Sequence, residues 1–396
     1  MLRIELIDDI SDFGRLEPFW NPLLARSDMD IPFMTFEWLK MFLRINAGSR
    51  ILVLVFRQDS DPVAVVPLML GKSSWRSLPV TQLTFLANYY TPRTGLVDVS
   101  QQNVLDLAIR FLKARGVNPD LFYFDFVDSK SLTYRYIQDF IGRNGLKARV
   151  MAGELSPYFR MEKDWVSYLK TRSDNFREKV RRMDGFFGRS KDYRLACYRE
   201  EIDVPRAIPQ MLTVSRNTWK FKMGTAIANT AERTVFFTEL ARMAARLGWL
   251  KMLILSHREH PVAFTYELRY KGVNFFLKTG FDENYSRSSP GMFIVCRSVK
   301  EAFTDGFKEY DLLGKNEAYK MKFTPVVRRH AKFMVFNRTL TGGLLYILES
   351  MVIRTARGLL GKPKKDLDDS RLSEGEEARG IPVHLTGREK ALAGRN

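Results

Sequence analysis

GVNFFLKTGFDENYSRSSPGMFIVCRSVKEAFTDGFKEYDLLGKNEAYKMKF, residues 272–323, is the stretch whose reading decides the fold. Residues 274–281 read as a strand, a Ser/Pro/Gly loop follows, and a helix opens at Gly291. That helix carries Met292, Val295, Val299, Ala302 and Phe303 on one stripe, and Gly306 supplies its stop. A second strand at 309–313 and a short polar helix complete a β-loop-α-β-α unit whose helix has one face built for a sheet. Because SRSSP precedes the helix, its first N–H groups and positive dipole end point into a loop with little side-chain bulk. Such an end suits a phosphate.

Working outward, residues 250–256 and 262–269 form a hairpin around HREHP, ahead of the decisive stretch. Residues 51–57 and 63–70 form another around QDSDP, followed by strands at 82–87 and 95–99. A helix at 102–113, capped by Ser100, then leads to a buried strand at 121–127. Pro-Val-Ala opens the second hairpin strand both times, at 62–64 and at 261–263. The recurring element order predicts two topologically similar units from a diverged duplication. Between them a helical segment over 165–194 repeats Phe176, Val180, Met183 and Phe187 at three- to four-residue spacing, while Arg177, Arg181 and other cations fan outward. Either that cationic face is simply solvated, or its arginines hold phosphate groups. Two further helices, at 205–219 and 232–247, precede the second hairpin.

The chain has 396 residues, enough for two domains, and 45% of them are hydrophobic, enough to fill a core. A formal charge of +18 predicts attraction to polyanions: nucleic acid, an anionic membrane face or phosphorylated substrates. Two cysteines, Cys197 and Cys296, argue against a disulfide framework and fit a reducing compartment. The four histidines are scattered with no metal-ligand spacing, so no metal is expected. The amino terminus lacks a signal-like apolar run, and no window supports a membrane span, so a cytoplasmic location is expected. The segment 339–362 reads as an amphipathic helix ending in cations, able either to dock on the body or to lie peripherally against an anionic inner membrane face. Residues 363–396 are polar and predicted to be disordered.

Taken together, DNFREKVRRM (174–183), GFDENYSRSSPG (280–291) and EYDLLGKNEAYKMKF (309–323) resemble the GNAT superfamily of N-acyltransferases over residues 1–335. The tandem-domain branch is the nearer likeness, which includes the acetyltransferases associated with bacterial cellulose biosynthesis and the Fem-type aminoacyltransferases. The resemblance implies an α/β fold (α+β mixed sheet) of two tandem GNAT-like domains: a degenerate one at 1–155 and the acyltransferase domain at 156–338. It also implies a cleft between splayed strands that admits acetyl-CoA or another acyl-CoA as co-substrate. The pantetheine would lie along Lys278, Thr279, Gly280 and Phe281, and the pyrophosphate against Arg287, Ser288, Ser289, Gly291, Met292 and Phe293. In the family's loop pattern Ser288 stands where Gln or Arg is usual and Phe293 where a small residue is usual, so a coenzyme A donor and a Fem-like aminoacyl-tRNA donor both stay open.

The chemistry implied is direct attack of an amine or hydroxyl on an acyl carbonyl, with a proton supplied to the leaving thiolate. Tyr319 matches the family's thiolate-protonating tyrosine; Asp311 and Glu317 are candidates for the base; Lys320, Arg177 and Arg181 are candidates for substrate contact. The expected acceptor is a sugar, a lipid-linked saccharide or a small metabolite, in polysaccharide or cell-envelope biosynthesis, with the first domain supporting or capping the second. A non-catalytic protein that binds an anionic partner is the competing reading. The sequence leaves the oligomeric state undetermined.

Overall fold

The structure is a computed structural model, and it describes residues 2–45, 50–75, 77–87 and 90–359. The first half begins with β1 (Leu2–Ile7), α1 (Glu17–Leu24) and α2 (Phe36–Ile45). β2 (Arg50–Gln58), β3 (Asp61–Trp75), β4 (Leu78–Phe85) and β5 (Val97–Asp98) come next, then α3 (Val104–Ala114), β6 (Leu121–Asp128) and α4 (Leu132–Arg143). β7 (Lys147–Arg160) leads into α5 (Trp165–Lys170), α6 (Asp174–Arg189) and β8 (Tyr193–Tyr198). The second half holds α7 (Val204–Arg216), α8 (Trp219–Lys222), α9 (Ala231–Arg246), β9 (Leu250–His257), β10 (His260–Tyr270) and β11 (Val273–Phe281). α10 (Pro290–Thr304), β12 (Glu309–Asp311), β13 (Val327–Phe336) and α11 (Leu340–Leu359) complete it. The segment 363–396, read from sequence as disordered, lies outside the described residues.

The thirteen strands among the described residues form one mixed sheet, in the order β1-β2-β3-β4-β6-β13-β7-β12-β11-β10-β9-β8 with β5 beside β3. Both halves repeat the same core: a hairpin, a third strand, a helix, and a fourth strand parallel to the third. β4 pairs in parallel with β6, and β11 with β12. The helix expected at 102–113 starts at Val104, and its cap is Asn103, which accepts from the Asp106 amide at 3.0 Å, in place of Ser100.

The halves are interlocked. β13, late in the chain, lies beside β6 of the first half, while β7 of the first half lies beside β12 of the second. β7 and β13 also pair with each other. The boundary expected at 155/156 therefore falls inside β7, a strand that serves both halves. One apolar layer spans the same face of both: Phe33 of the first half meets Phe275 of the second at 5.3 Å between ring centroids, and Trp38 meets Phe236 at 6.0 Å. α3 and α4 cover the opposite face of the first half, and α6 and α10 that of the second. This is the interior packing that the periodic stripe of α6 calls for.

α11 docks along the sheet through Leu345, which is fully buried, and Glu349, which accepts from Trp75 Nε1 at 2.9 Å and Arg149 Nη1 at 2.8 Å. Its outer face presents Leu340, Leu344, Ile347 and Met351. No helix among the described residues is long and apolar enough to cross a membrane.

Candidate active site

The splay between β11 and β12 comes from a bulge. On β10, Tyr266 pairs with Lys278 and Glu267 with Phe276, so Leu277 is an extra residue on β11. The parallel pairing with β12 covers only Val273–Phe275, and β11 then runs on to Phe281 with that edge open. Beyond β12 the chain turns sharply, with Leu313 and Gly314 both at positive φ (48° and 56°). Lys320, 5% exposed, clips this turn by donating to Leu313 O at 2.7 Å and Lys315 O at 3.2 Å and pairing with Glu317 at 2.7 Å. Its three donors are all used within the loop, so Lys320, a sequence candidate for substrate contact, builds the site's floor.

Two cavities open side by side. One, of about 310 Å³, is lined by Lys179, Thr279, Gly280, Phe281, Ser286, Ser289, Gly291, Met292, Val295 and Tyr319. This lobe, the candidate donor lobe, holds the end of β11 and the start of α10. Ser289 caps α10 in the left-handed region (φ 57°) and makes no side-chain cap bond. Pro290 lacks an N–H and Phe293 N–H already donates to Ser289 O at 3.1 Å, so Gly291 and Met292 carry the first-turn donors left for a ligand. Phe293 is thereby corrected: it is buried and stacks on Phe187 at 4.2 Å, out of the anion seat. Gly291 is required here, because a Cβ would lie 2.6 Å from the Phe281 ring. Ser288 spends its hydroxyl on Tyr285 O at 2.9 Å, and Arg287 is exposed on the same turn.

The second cavity, of about 300 Å³, shares Thr218, Trp219, Lys220, Thr279 and Glu317 with the first. Its walls come from both halves of the chain: Trp38, Tyr90, Pro92, Phe126 and Glu154 from the first, and Arg233, Phe237, Leu277, Lys278 and Lys315 from the second.

Tyr319 reaches the donor lobe with no hydrogen bond to its hydroxyl among the described residues, and burial followed by the Glu317 charge pushes the phenol above its ordinary value. The hydroxyl therefore keeps its proton until a stronger base arrives. Glu317 lines both cavities and its side chain is 46% exposed.

Asp311 sits elsewhere. Fully buried, its carboxylate accepts from Arg93 Nη2 at 2.9 Å, from Arg328 and from the Leu313 amide at 3.0 Å. Burial opposes the charge, but the two guanidiniums hold the carboxyl below its usual range. With its lone pairs committed and no face on either cavity, it positions β12. Arg177 and Arg181 also lie outside both cavities: Arg177 bonds Asp174, and Arg181 bonds Glu178 at 3.0 Å, along the solvent face of α6. The α6 cation that lines the donor lobe is Lys179.

Sequence reasoning missed Lys220, Arg233, Tyr90 and Glu154, which reach the cavity from four separate segments. It chose Lys278 for its backbone, whereas its side chain also lines the second cavity, over the Phe237 ring at 5.5 Å. No group of side chains among the described residues could hold a metal ion.

Residues 174–321 match the acetyltransferase (GNAT) domain family. No curated protein matches the chain by sequence. Among solved structures, FemX is similar over 87% of this chain and 99% of its own, at 10% identity and a TM-score of 0.56. The C-terminal domain (DUF2156) of a putative lysylphosphatidylglycerol synthetase from Agrobacterium fabrum is similar over 87% of this chain and 98% of its own, at 13% identity and a TM-score of 0.52. A conserved protein of unknown function from Bacteroides thetaiotaomicron is similar over 85% of this chain and all of its own, at 11% identity and a TM-score of 0.51. At these identities the likeness is one of fold. The splayed, bulged strand and the helix start thus lie inside the segment, residues 174–321, that matches the acetyltransferase (GNAT) domain family.

Proposed function

We propose that this protein transfers an acyl group from an acyl-coenzyme A to an amine or hydroxyl of a small acceptor. The observation that carries this reading is a single lobe combining the open edge of β11, the uncapped start of α10 and the Tyr319 hydroxyl, which has no hydrogen-bond partner among the described residues. Pantetheine amides would pair with the β11 backbone at Thr279–Phe281, and the pyrophosphate would take the Gly291 and Met292 N–H groups, with Lys179 and Arg287 adding charge at the periphery. The acceptor occupies the neighbouring cavity and meets the thioester where Glu317 borders both.

The acceptor nitrogen or oxygen attacks the thioester carbonyl carbon and a bond to carbon forms. As the C–S bond breaks, its electron pair goes to sulfur, and the thiolate takes the Tyr319 proton. The proton lost by the acceptor passes to Glu317 and returns from there to the tyrosinate through solvent, leaving an acylated acceptor and free thiol. Holding both reactants in adjoining lobes accounts for most of the acceleration, and proton transfer adds a factor of roughly 100 to 10,000.

Calorimetry with acetyl-CoA tests the donor: a saturable heat is expected, and no heat with acetyl-CoA alongside tight binding of charged tRNA would move the donor to the Fem type. The exposed apolar stripe of α11 supports peripheral contact with an anionic membrane. On that reading, the full chain cosediments with anionic vesicles and a chain ended after Asn337 does not.

A further inference from the structure

The acceptor lobe is electropositive in a way the acyl-transfer reaction does not require. Lys220, Lys278, Arg233 and Lys315 line it, and among the described residues none of them has a carboxylate within ion-pair distance. Lys220 donates to Thr279 O at 3.2 Å, and Arg233 to the carbonyls of Gly224 and Ala226, contacts that fix each side chain in place without cancelling its charge. The lobe's two carboxyl groups offset little of this. Glu317 is engaged by Lys320 at 2.7 Å, and burial pushes the Glu154 carboxyl towards its neutral form, against the pull of Lys315 and Lys320.

One wall, with Trp38, Phe237, Leu240 and Phe264, is apolar, and Ser215, Thr218, Thr225 and Thr279 add neutral polar groups elsewhere. Lys220, Arg233 and Lys278 are each partly buried, and like charges gathered on one partly buried wall repel one another, an arrangement that an incoming anion relieves. From these side chains the geometry points to an acceptor that is itself an anion: a small molecule with a carboxylate or phosphate held by Lys278, Lys220 and Arg233, and an apolar body against Trp38 and Phe237. This deepens the proposed function, on which its description as an acceptor rests.

The charge state of Lys278 supports the assignment. Burial first, then Lys220, Arg233 and Lys320, pull its amine down to about 8, with Glu154 acting the other way. In the ligand-free protein Lys278 therefore loses its proton as pH rises through that value, and anion affinity falls with it. A bound anion favours the charged amine and moves its titration upward.

The test is calorimetric titration of the full chain with inorganic phosphate and, separately, with acetate, in the presence of coenzyme A so that the α10 seat is filled. At least one anion is expected to bind, about tenfold or more weakly in Lys278→Gln and in Arg233→Gln, with Lys278→Arg restoring most of the loss. Arg181→Gln, outside both lobes, serves as the charge control and should bind as the wild type does. Stronger binding of phosphate identifies a phosphorylated acceptor, and stronger binding of acetate a carboxylate. Thermal melts confirm that each variant is folded. Absence of binding by both anions, or binding indifferent to Lys278→Gln and Arg233→Gln in folded protein, overturns the inference. Coenzyme A heat measured alone reports the donor lobe separately: a chain that binds coenzyme A but neither anion refutes this inference and keeps the proposed function. A chain that binds anions through Lys278 but not coenzyme A keeps the anion site, refutes the proposed donor and removes the anion's description as an acyl acceptor.

Discussion

The first half opens its sheet between β4 and β6 as the second does between β11 and β12, yet fills the gap with its own chain. β4 and β6 share only the pairs Gln82 with Leu121 and Leu83 with Phe122. Past them Thr94 bridges Val127 in parallel, its N–H donating to Phe126 O at 3.1 Å. The helix starts differ as sharply. α3 satisfies its first turn with the Asn103 side chain and places Asp106 there, which disfavours an anion, whereas α10 leaves its start uncapped beside Gly291. The gap in the first half is thus closed by its own chain, and the plugging segment serves the second half as well. Arg93 reaches across to Asp311, and Tyr90 and Pro92 wall the acceptor lobe.

The largest effect should come from Tyr319→Phe. Acyl transfer is expected to fall by about 100- to 10,000-fold with donor affinity kept, because only the transferable proton is removed. A rate within a few-fold of wild type would sink that role. Asp311→Asn comes next. It leaves Arg93 and Arg328 buried beside a neutral amide and should cost about 3–5 kcal/mol, read as a lower denaturation midpoint. The pH dependence has a definite sign. Because Asp311 is depressed in the folded state, its stabilisation is complete above the unfolded value near 3.9 and is lost as pH falls through the lower folded value. Asp311→Asn should therefore flatten the acid limb of the stability curve, and an unchanged limb would show that the Arg93 link across the halves is energetically idle.

Gly291→Ala should cost about 1–3 kcal/mol by forcing the Phe281 ring aside, and should weaken donor binding. Gln102→Ala, at the corresponding helix start of the first half, should do neither. The smallest effect belongs to Asn103→Ala, about 1 kcal/mol of stability with donor affinity untouched. Weakened donor binding in that variant would mean that the first cleft also takes a ligand.

Much of the second half was legible in sequence because its signals are local. β11, α10 and β12 follow from alternation, a helical stripe and the SRSSPG punctuation, and the placement of Tyr319 follows from the family likeness. β7 and β13 were missed. Gly153 and Pro157 break β7 into what looks like loop, and the cations of β13 hide a strand that gains its order only by crossing into the other half. Assembly of the acceptor lobe was equally hidden. Lys220, Lys278 and Arg233 lie on α8, β11 and α9, Tyr90 on the plugging segment and Glu154 on β7, and no spacing in the chain announces their meeting. Asp311 was read as a base because a carboxylate at a strand end beside a cleft suits one, and only the distant partner Arg93 reveals a positioning role.

Amide hydrogen exchange with and without acetyl-CoA compares the two clefts in one experiment. If the second half alone receives the donor, amides over residues 278–292 slow on addition, Gly291 and Met292 included, while those over 83–106 exchange as before. Slowing confined to 83–106, or absent from both stretches at saturating donor, would contradict the assignment of the donor seat to β11 and α10.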